Sequence, residues 1–170
     1  TTPAIKVLLA QHATPLFTAV EAMKNINGVL NTVLTEGNHI TASYARLNRR
    51  SGELEIVSAG HPPAILHPTA APVETLETQG DVLGVFMNVC LAHIERTLRP
   101  GDRFFLYSDG LIERFYQAHI KRQEGLEQLS QAISKTSYYP IQEAVDRIYQ
   151  EVLPAGCVLE DDIVLLGIEV

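Results

Sequence analysis

Two short acidic motifs hold the residues best suited to chemistry. Asp109, in Ser108-Asp109-Gly110, follows the apolar run Arg103-Phe104-Phe105-Leu106-Tyr107, and Asp161-Asp162 leads into a second apolar run from Ile163 to Ile168. Each run reads as a buried strand, so both strands would carry carboxylates at one end. Mg²⁺ and Mn²⁺ take near-octahedral oxygen shells and keep several waters, so a few carboxylates on rigid elements suffice to hold them. Gly110 lets the backbone turn sharply out of the strand and leaves the Asp109 carboxylate free to face an ion. A plainer explanation exists for each motif alone. Asp-Gly after a strand is commonly just a turn, and Asp161-Asp162 also fits a solvated loop. Their joint occurrence is what favours a metal site.

Other residues offer less. His12, His39, His67, His93 and His119 have no spacing that gathers ligands, so zinc is not indicated. His61, in Gly60-His61-Pro62-Pro63, reads as a structural residue of a strand connection rather than an acid or base. Gly80 and Gly84 bracket the apolar pair Val82-Leu83, which reads as a tightened loop.

The elements that must position these residues emerge from periodicity. Val20, Met23, Leu30 and Leu34, with Asn27 between, fall at helical steps, which predicts an amphipathic helix over 15–34, preceded by a shorter helix over 3–12. From His39 the period becomes two. Runs 40–47 and 53–58 form a hairpin around 48–52, and further strands are expected at 64–67, 73–76, 90–98 and 103–107. The turn Arg99-Pro100-Gly101-Asp102 joins the last two. Helices over 123–135 and 141–153 and a strand over 163–169 complete the chain. Such short connections make the sheets mainly antiparallel and the fold an α+β sandwich flanked by helices.

Composition bounds the function. The 170 residues are 46% hydrophobic and 19% charged, enough for one ordinary globular domain over 1–170. A net charge of -7, with no basic cluster beyond Arg49-Arg50, argues against a nucleic-acid surface. Cys90 and Cys157 are too few for a disulfide framework, and no signal-peptide pattern or membrane-spanning stretch is present, so a cytoplasmic location is expected.

The order of motifs resembles a family. Ser58-Ala59-Gly60-His61-Pro62-Pro63, Gly80-Asp81-Val82-Leu83-Gly84, the stretch from Leu98 through Ser108-Asp109-Gly110 with Glu113, and Asp161-Asp162-Ile163 together look like the SpoIIE/RsbU-like branch of the metal-dependent protein phosphatases, bacterial relatives of type 2C phosphatases. Ile26-Asn27 is similar to the Leu-Asn of that family's regulatory helix pair. The resemblance covers essentially the whole chain. It implies an α-β-β-α sandwich with its N-terminal strands missing and two Mn²⁺ or Mg²⁺ ions at one end of the sheets. By carry-over, Asp109 and Asp161 are metal ligands and the catalytic carboxylates, Asp162 is a neighbour that bonds backbone, water or metal, and Gly110 is backbone at the site. The implied reaction is in-line attack of metal-activated water on phosphorus, without a covalent phosphoenzyme. Gly80, Leu83 and Gly84 are implied to form a regulatory switch between the helix pair and the site.

The resemblance also implies a partner set: a phosphorylated protein substrate, specifically an anti-sigma-factor antagonist, and an upstream sensory or receiver domain. Family members carry further metal-binding Asp residues upstream, whereas the first Asp here is Asp81. Thr1-Thr2-Pro3-Ala4 resembles the residues directly after the Asp-Val-Ser-Gly-His-Gly-like segment of the family. A fragment of a longer protein, or a member that has lost its first ligands, is therefore expected. Val164 stands where the family usually has Thr. Two readings remain: a phosphatase domain for signalling, or a pseudophosphatase that serves as a binding or dimerisation module. Open sheet edges predict a homodimer in either case.

Overall fold

The computed structural model describes residues 7, 8, 10, 11, 14, 16–35, 37–77, 79–113, 121–153 and 161–170. In chain order its elements are α1 (Ala19–Val33), β1 (Ala42–Asn48), β2 (Glu53–Ala59), β3 (Ala64–His67), β4 (Glu74–Leu76), β5 (Ala92–Thr97), β6 (Arg103–Tyr107), a 3-10 turn (Asp109–Leu111), α2 (Arg122–Lys135), α3 (Ile141–Val152) and β7 (Leu165–Glu169). The chain divides into two compact units, Thr1–His61 with Thr78–Thr97, and Pro62–Glu77 with Leu98–Val170.

In the first unit, β1-β2-β5 form an antiparallel sheet with α1 laid on β1 and β2. The helix starts where Thr18 and Glu21 cap each other: the Thr18 N–H donates to Glu21 Oε2 at 2.8 Å, and the Glu21 N–H donates to Thr18 Oγ1 at 3.2 Å. This reciprocal box satisfies two donors that the first turn leaves without intrahelical partners. It corrects the expected start at residue 15. Ala19, Met23, Ile26 and Leu30 line the buried face and pack with Val57, Ala59 and Leu83. Of the shorter helix expected over 3–12, Val7, Leu8, Ala10 and Gln11 are helical, and the rest lies outside the described residues. The strand expected from residue 90 begins at Ala92 instead, because Cys90 pairs with Asp81: the Asp81 N–H donates to the Cys90 carbonyl at 2.7 Å, and the Cys90 N–H to Asp81 Oδ2 at 2.8 Å.

In the second unit the order is β4-β3-β6-β7, again antiparallel throughout. Ile65, Phe105 and Tyr107 from the sheet pack with Leu126, Leu129, Ile133, Ile148 and Val152 from α2 and α3, which also pack on each other. Arg103 is buried and ties three segments together. Its guanidinium bonds Glu169 on β7 at 2.6 Å and the carbonyls of Thr136 at 3.4 Å and Tyr139 at 2.8 Å beyond α2. Asp102 closes the 99–102 turn by accepting the N–H of Arg99 and the N–H and hydroxyl of Thr69. Burial pushes the Asp102 carboxyl up, but those three hydrogen bonds and the Arg99 charge together outweigh it and leave the group below its ordinary value.

The α+β class with antiparallel sheets agrees with the sequence reading. The last strand is a further departure from it. The final apolar run predicts a buried strand beginning at residue 163, yet β7 begins at Leu165 and lies at a sheet edge, with Val164 57% and Leu166 47% exposed. An apolar run marks a strand but does not distinguish a central strand from an edge strand covered on one face.

Candidate metal centre

Because β6 and β7 are antiparallel, the C-terminal end of one adjoins the N-terminal end of the other, and both acidic motifs fall at that end. Beyond Tyr107, Ser108 still bonds across the strand pair. Its N–H donates to the Val164 carbonyl at 3.0 Å, its Oγ accepts the Val164 N–H at 2.8 Å, and the same hydroxyl donates to the Asp162 carbonyl at 2.8 Å. Asp109 then leaves the strand. Its carbonyl accepts the N–H groups of Ile112 at 2.9 Å and Glu113 at 2.8 Å, and its Oδ1 accepts the Gly110 N–H at 3.1 Å.

Gly110 brings the two motifs into contact. A Cβ at this position would lie 2.9 Å from the Asp162 carbonyl oxygen and 3.3 Å from Asp161 Cβ, so only a residue without a side chain lets the turn rest on that backbone. On the other side, Asp161 Oδ1 accepts the Asp162 N–H at 2.8 Å. Asp109, Asp161 and Asp162 are all solvent-exposed, so an ion could reach them without opening the core. Next to them Tyr107 is buried, and burial pushes its phenol above the ordinary range. Glu113 pairs with Arg122 at 3.6 Å.

Carboxylate oxygens at the ends of two paired strands fit Mg²⁺ or Mn²⁺ in kind. In number they form one corner of a shell: among the described residues no three His, Cys, Asp or Glu side chains gather as a group able to hold an ion. The candidate residues Asp109, Gly110, Asp161 and Asp162 thus all lie in the second unit.

Gly80, Leu83 and Gly84 lie in the first unit, where each makes close contacts. Leu83 is buried and exchanges backbone hydrogen bonds with Ile40 at 2.9 and 3.0 Å. Gly84 has φ +86, and a Cβ there would meet Leu34 Cδ1 at 2.4 Å. A Cβ on Gly80 would lie 2.9 Å from both the Ala92 nitrogen and the Ser58 carbonyl oxygen. The segment is fastened to α1 by Asn27, which is 1% exposed, accepts the Gly84 N–H at 2.9 Å and donates to the Phe86 carbonyl at 2.8 Å. The sequence alone does not single out Asn27 for this bond or Ser108 for its three. A lone amide in the apolar stripe of a helix is the signal that could have found the first.

No described helix is long and apolar enough to cross a membrane. No curated protein sequence matches the chain. Solved structures do. The RsbU and RsbW domains of Rv1364c from Mycobacterium tuberculosis align over 95% of this chain and 44% of that one, at 25% identity and a TM-score of 0.80. The Mn-presoaked phosphatase domain of the cell fate determinant SpoIIE from Bacillus subtilis aligns over 100% of this chain and 74% of that one, at 17% identity and a TM-score of 0.69. RsbX in complex with magnesium aligns over 97% and 70%, at 17% identity and a TM-score of 0.66. The chain therefore has the fold of these domains while spanning less than half of the mycobacterial chain. The family profile described as Stage II sporulation protein E (SpoIIE) matches residues 1–170, and the chain belongs to that family.

Proposed function

We propose that residues 1–170 act as one metal-dependent protein serine/threonine phosphatase domain, with Asp109 and Asp161 as ligands of Mn²⁺ or Mg²⁺ and Asp162 as their neighbour. The observation that carries this reading is the contact of Gly110 with Asp161-Asp162, which joins two carboxylate motifs from distant parts of the chain at one exposed strand end. A divalent ion held there supplies Lewis acidity toward phosphoryl oxygens and activates water at neutral pH. Asp109, just past β6, and Asp161, ahead of β7, would hold the ion, and Gly110 keeps their two segments in contact. Their exposure leaves room for a folded phosphoprotein rather than a small molecule alone.

The substrate we infer is a phosphorylated anti-sigma-factor antagonist in bacterial signalling, in the cytoplasm, with an upstream sensory or receiver domain supplying the signal. Gly80, Leu83 and Gly84 are read as the switch on which that signal acts, since they are packed too tightly against α1, β2 and β5 to move independently. The family membership and the metals named with the two related structures support this assignment.

The test is Mn²⁺-dependent release of phosphate from a phosphoserine protein by the full encoded protein, with Asp109→Asn beside it. Loss of a ligand is expected to cost more than the roughly ten- to hundredfold typical of losing an outer-shell partner. Activity left intact by Asp109→Asn would sink the assignment. A second reading, a catalytically silent module that binds a partner, is favoured by the incomplete ligand group among the described residues. It predicts no activity in either protein with the fold retained.

A further inference from the structure

We propose that Ser108 is a positioning residue of the metal centre, its hydroxyl standing in for a main-chain carbonyl so that Asp109 leaves β6 while Asp161-Asp162 stays in register beside it. The inference rests on the reading that Asp109 and Asp161 are metal ligands.

Two residues facing each other as a hydrogen-bonded pair in an antiparallel ladder exchange both of their N–H to carbonyl bonds. Ser108 and Val164 make only the first of these, from the Ser108 N–H to the Val164 carbonyl at 3.0 Å. The return bond from the Val164 N–H goes to Ser108 Oγ at 2.8 Å. The Ser108 carbonyl is engaged elsewhere: it accepts the Leu111 N–H at 3.1 Å and so closes the 3-10 turn that carries Asp109 outward. One oxygen thus frees another. The hydroxyl also uses its single proton on the Asp162 carbonyl at 2.8 Å, which pins the residue next to Asp161.

Without this hydroxyl the chain faces a choice. If the Ser108 carbonyl returned to the ladder, the turn at Asp109–Leu111 would lose its first bond. If it stayed in the turn, the Val164 N–H and the Asp162 carbonyl would lose the partner they have here, and the segment would be free to drift from Gly110. Either outcome separates the two acidic motifs that Gly110 now holds in contact.

The experiment compares wild type, Ser108→Ala, Ser108→Thr and Asp109→Asn in two readouts. These are Mn²⁺ affinity, from the paramagnetic resonance signal of the free ion, and amide exchange at residues 161–164. Ser108→Ala should bind Mn²⁺ about ten- to hundredfold more weakly, in the range seen for lost outer-shell partners, and should exchange faster at Val164. Ser108→Thr keeps the hydroxyl and should restore both, whereas Ser108→Cys, which keeps the volume but not a strong hydrogen-bonding group, should not. Wild-type affinity in Ser108→Ala overturns the proposal, as does failure of Ser108→Thr to rescue. If Ser108→Ala does not fold, Ser108→Cys, similar in size but a weak hydrogen-bonding group, replaces it with the same expected direction. Mn²⁺ uptake that is absent from wild type, or unchanged by Asp109→Asn, overturns the metal reading itself and with it the positioning role. Exchange at Val164 then still reports separately whether the hydroxyl holds the segment.

Discussion

At the residue scale the chain relies on side-chain oxygens doing what backbone groups do elsewhere. Ser108 replaces a carbonyl, Asp102 gathers three donors around a turn, and Thr18 and Glu21 cap a helix between them. The carboxylates are visible in the sequence because Asp next to Gly at the end of an apolar run is a recognisable pattern. Ser108 is not, since a hydroxyl before a turn looks the same whether it faces water or the strand across from it. His67 carries a consequence of its own. Its pKa lies below 6.5 because burial, and then the nearby Arg103 guanidinium, disfavour the charged ring, while Asp102 opposes them. Above pH 6.5 folded and unfolded chains both hold it neutral; as pH falls through that value the unfolded chain takes a proton first, so the fold loses stability. Thermal melts from about pH 7.5 down to about 5.5 should therefore fall more steeply for wild type than for His67→Gln. Parallel slopes would show that His67 contributes nothing to the acid sensitivity.

Elements are easier to read than their ends. Period-two runs mark the hairpin of β1 and β2, and helical spacing marks α1, α2 and α3, because those patterns reflect which face is buried. Pro15 suits a helix start, yet α1 begins only at the Thr18–Glu21 box, and the edge position of β7 depends on a strand order that an apolar run does not encode. Asn27 belongs to this scale, as it fastens one element to a loop. Asn27→Ala would leave the buried end of that link without an acceptor for the Gly84 N–H, at a cost of about 1–3 kcal/mol. Asn31, which also reaches the Phe86 carbonyl at 3.2 Å, keeps that acceptor satisfied. Denaturant unfolding measures the change; a cost under about 0.5 kcal/mol, typical of surface sites, would mean the link is ornamental.

For the whole molecule, the family and the fold are legible because motifs spread from Ser58 to Ile163 occur in one order. What sequence does not supply is the closeness of the motifs, which depends on β6 and β7 pairing. The same pairing leaves an edge. Among the described residues β7 bonds β6 alone, and Leu165–Glu169 holds no Lys or Pro to discourage another strand. We propose that a second copy pairs along an open sheet edge. Sedimentation velocity over a broad micromolar range should show a concentration-dependent dimer, and a monomer throughout would rule the pairing out.

The contact between Ser108 and Asp162 spans 54 positions of chain. The two acidic motifs come together only where β7 pairs with β6, and the entropy of closing that long loop must be met before any ligand set exists. An ion captured at that end would have no counterpart in the unfolded chain, so its uptake would be a late folding event and would raise the melting temperature in proportion to the logarithm of its concentration. Ion binding at that end would then report that the second unit has folded.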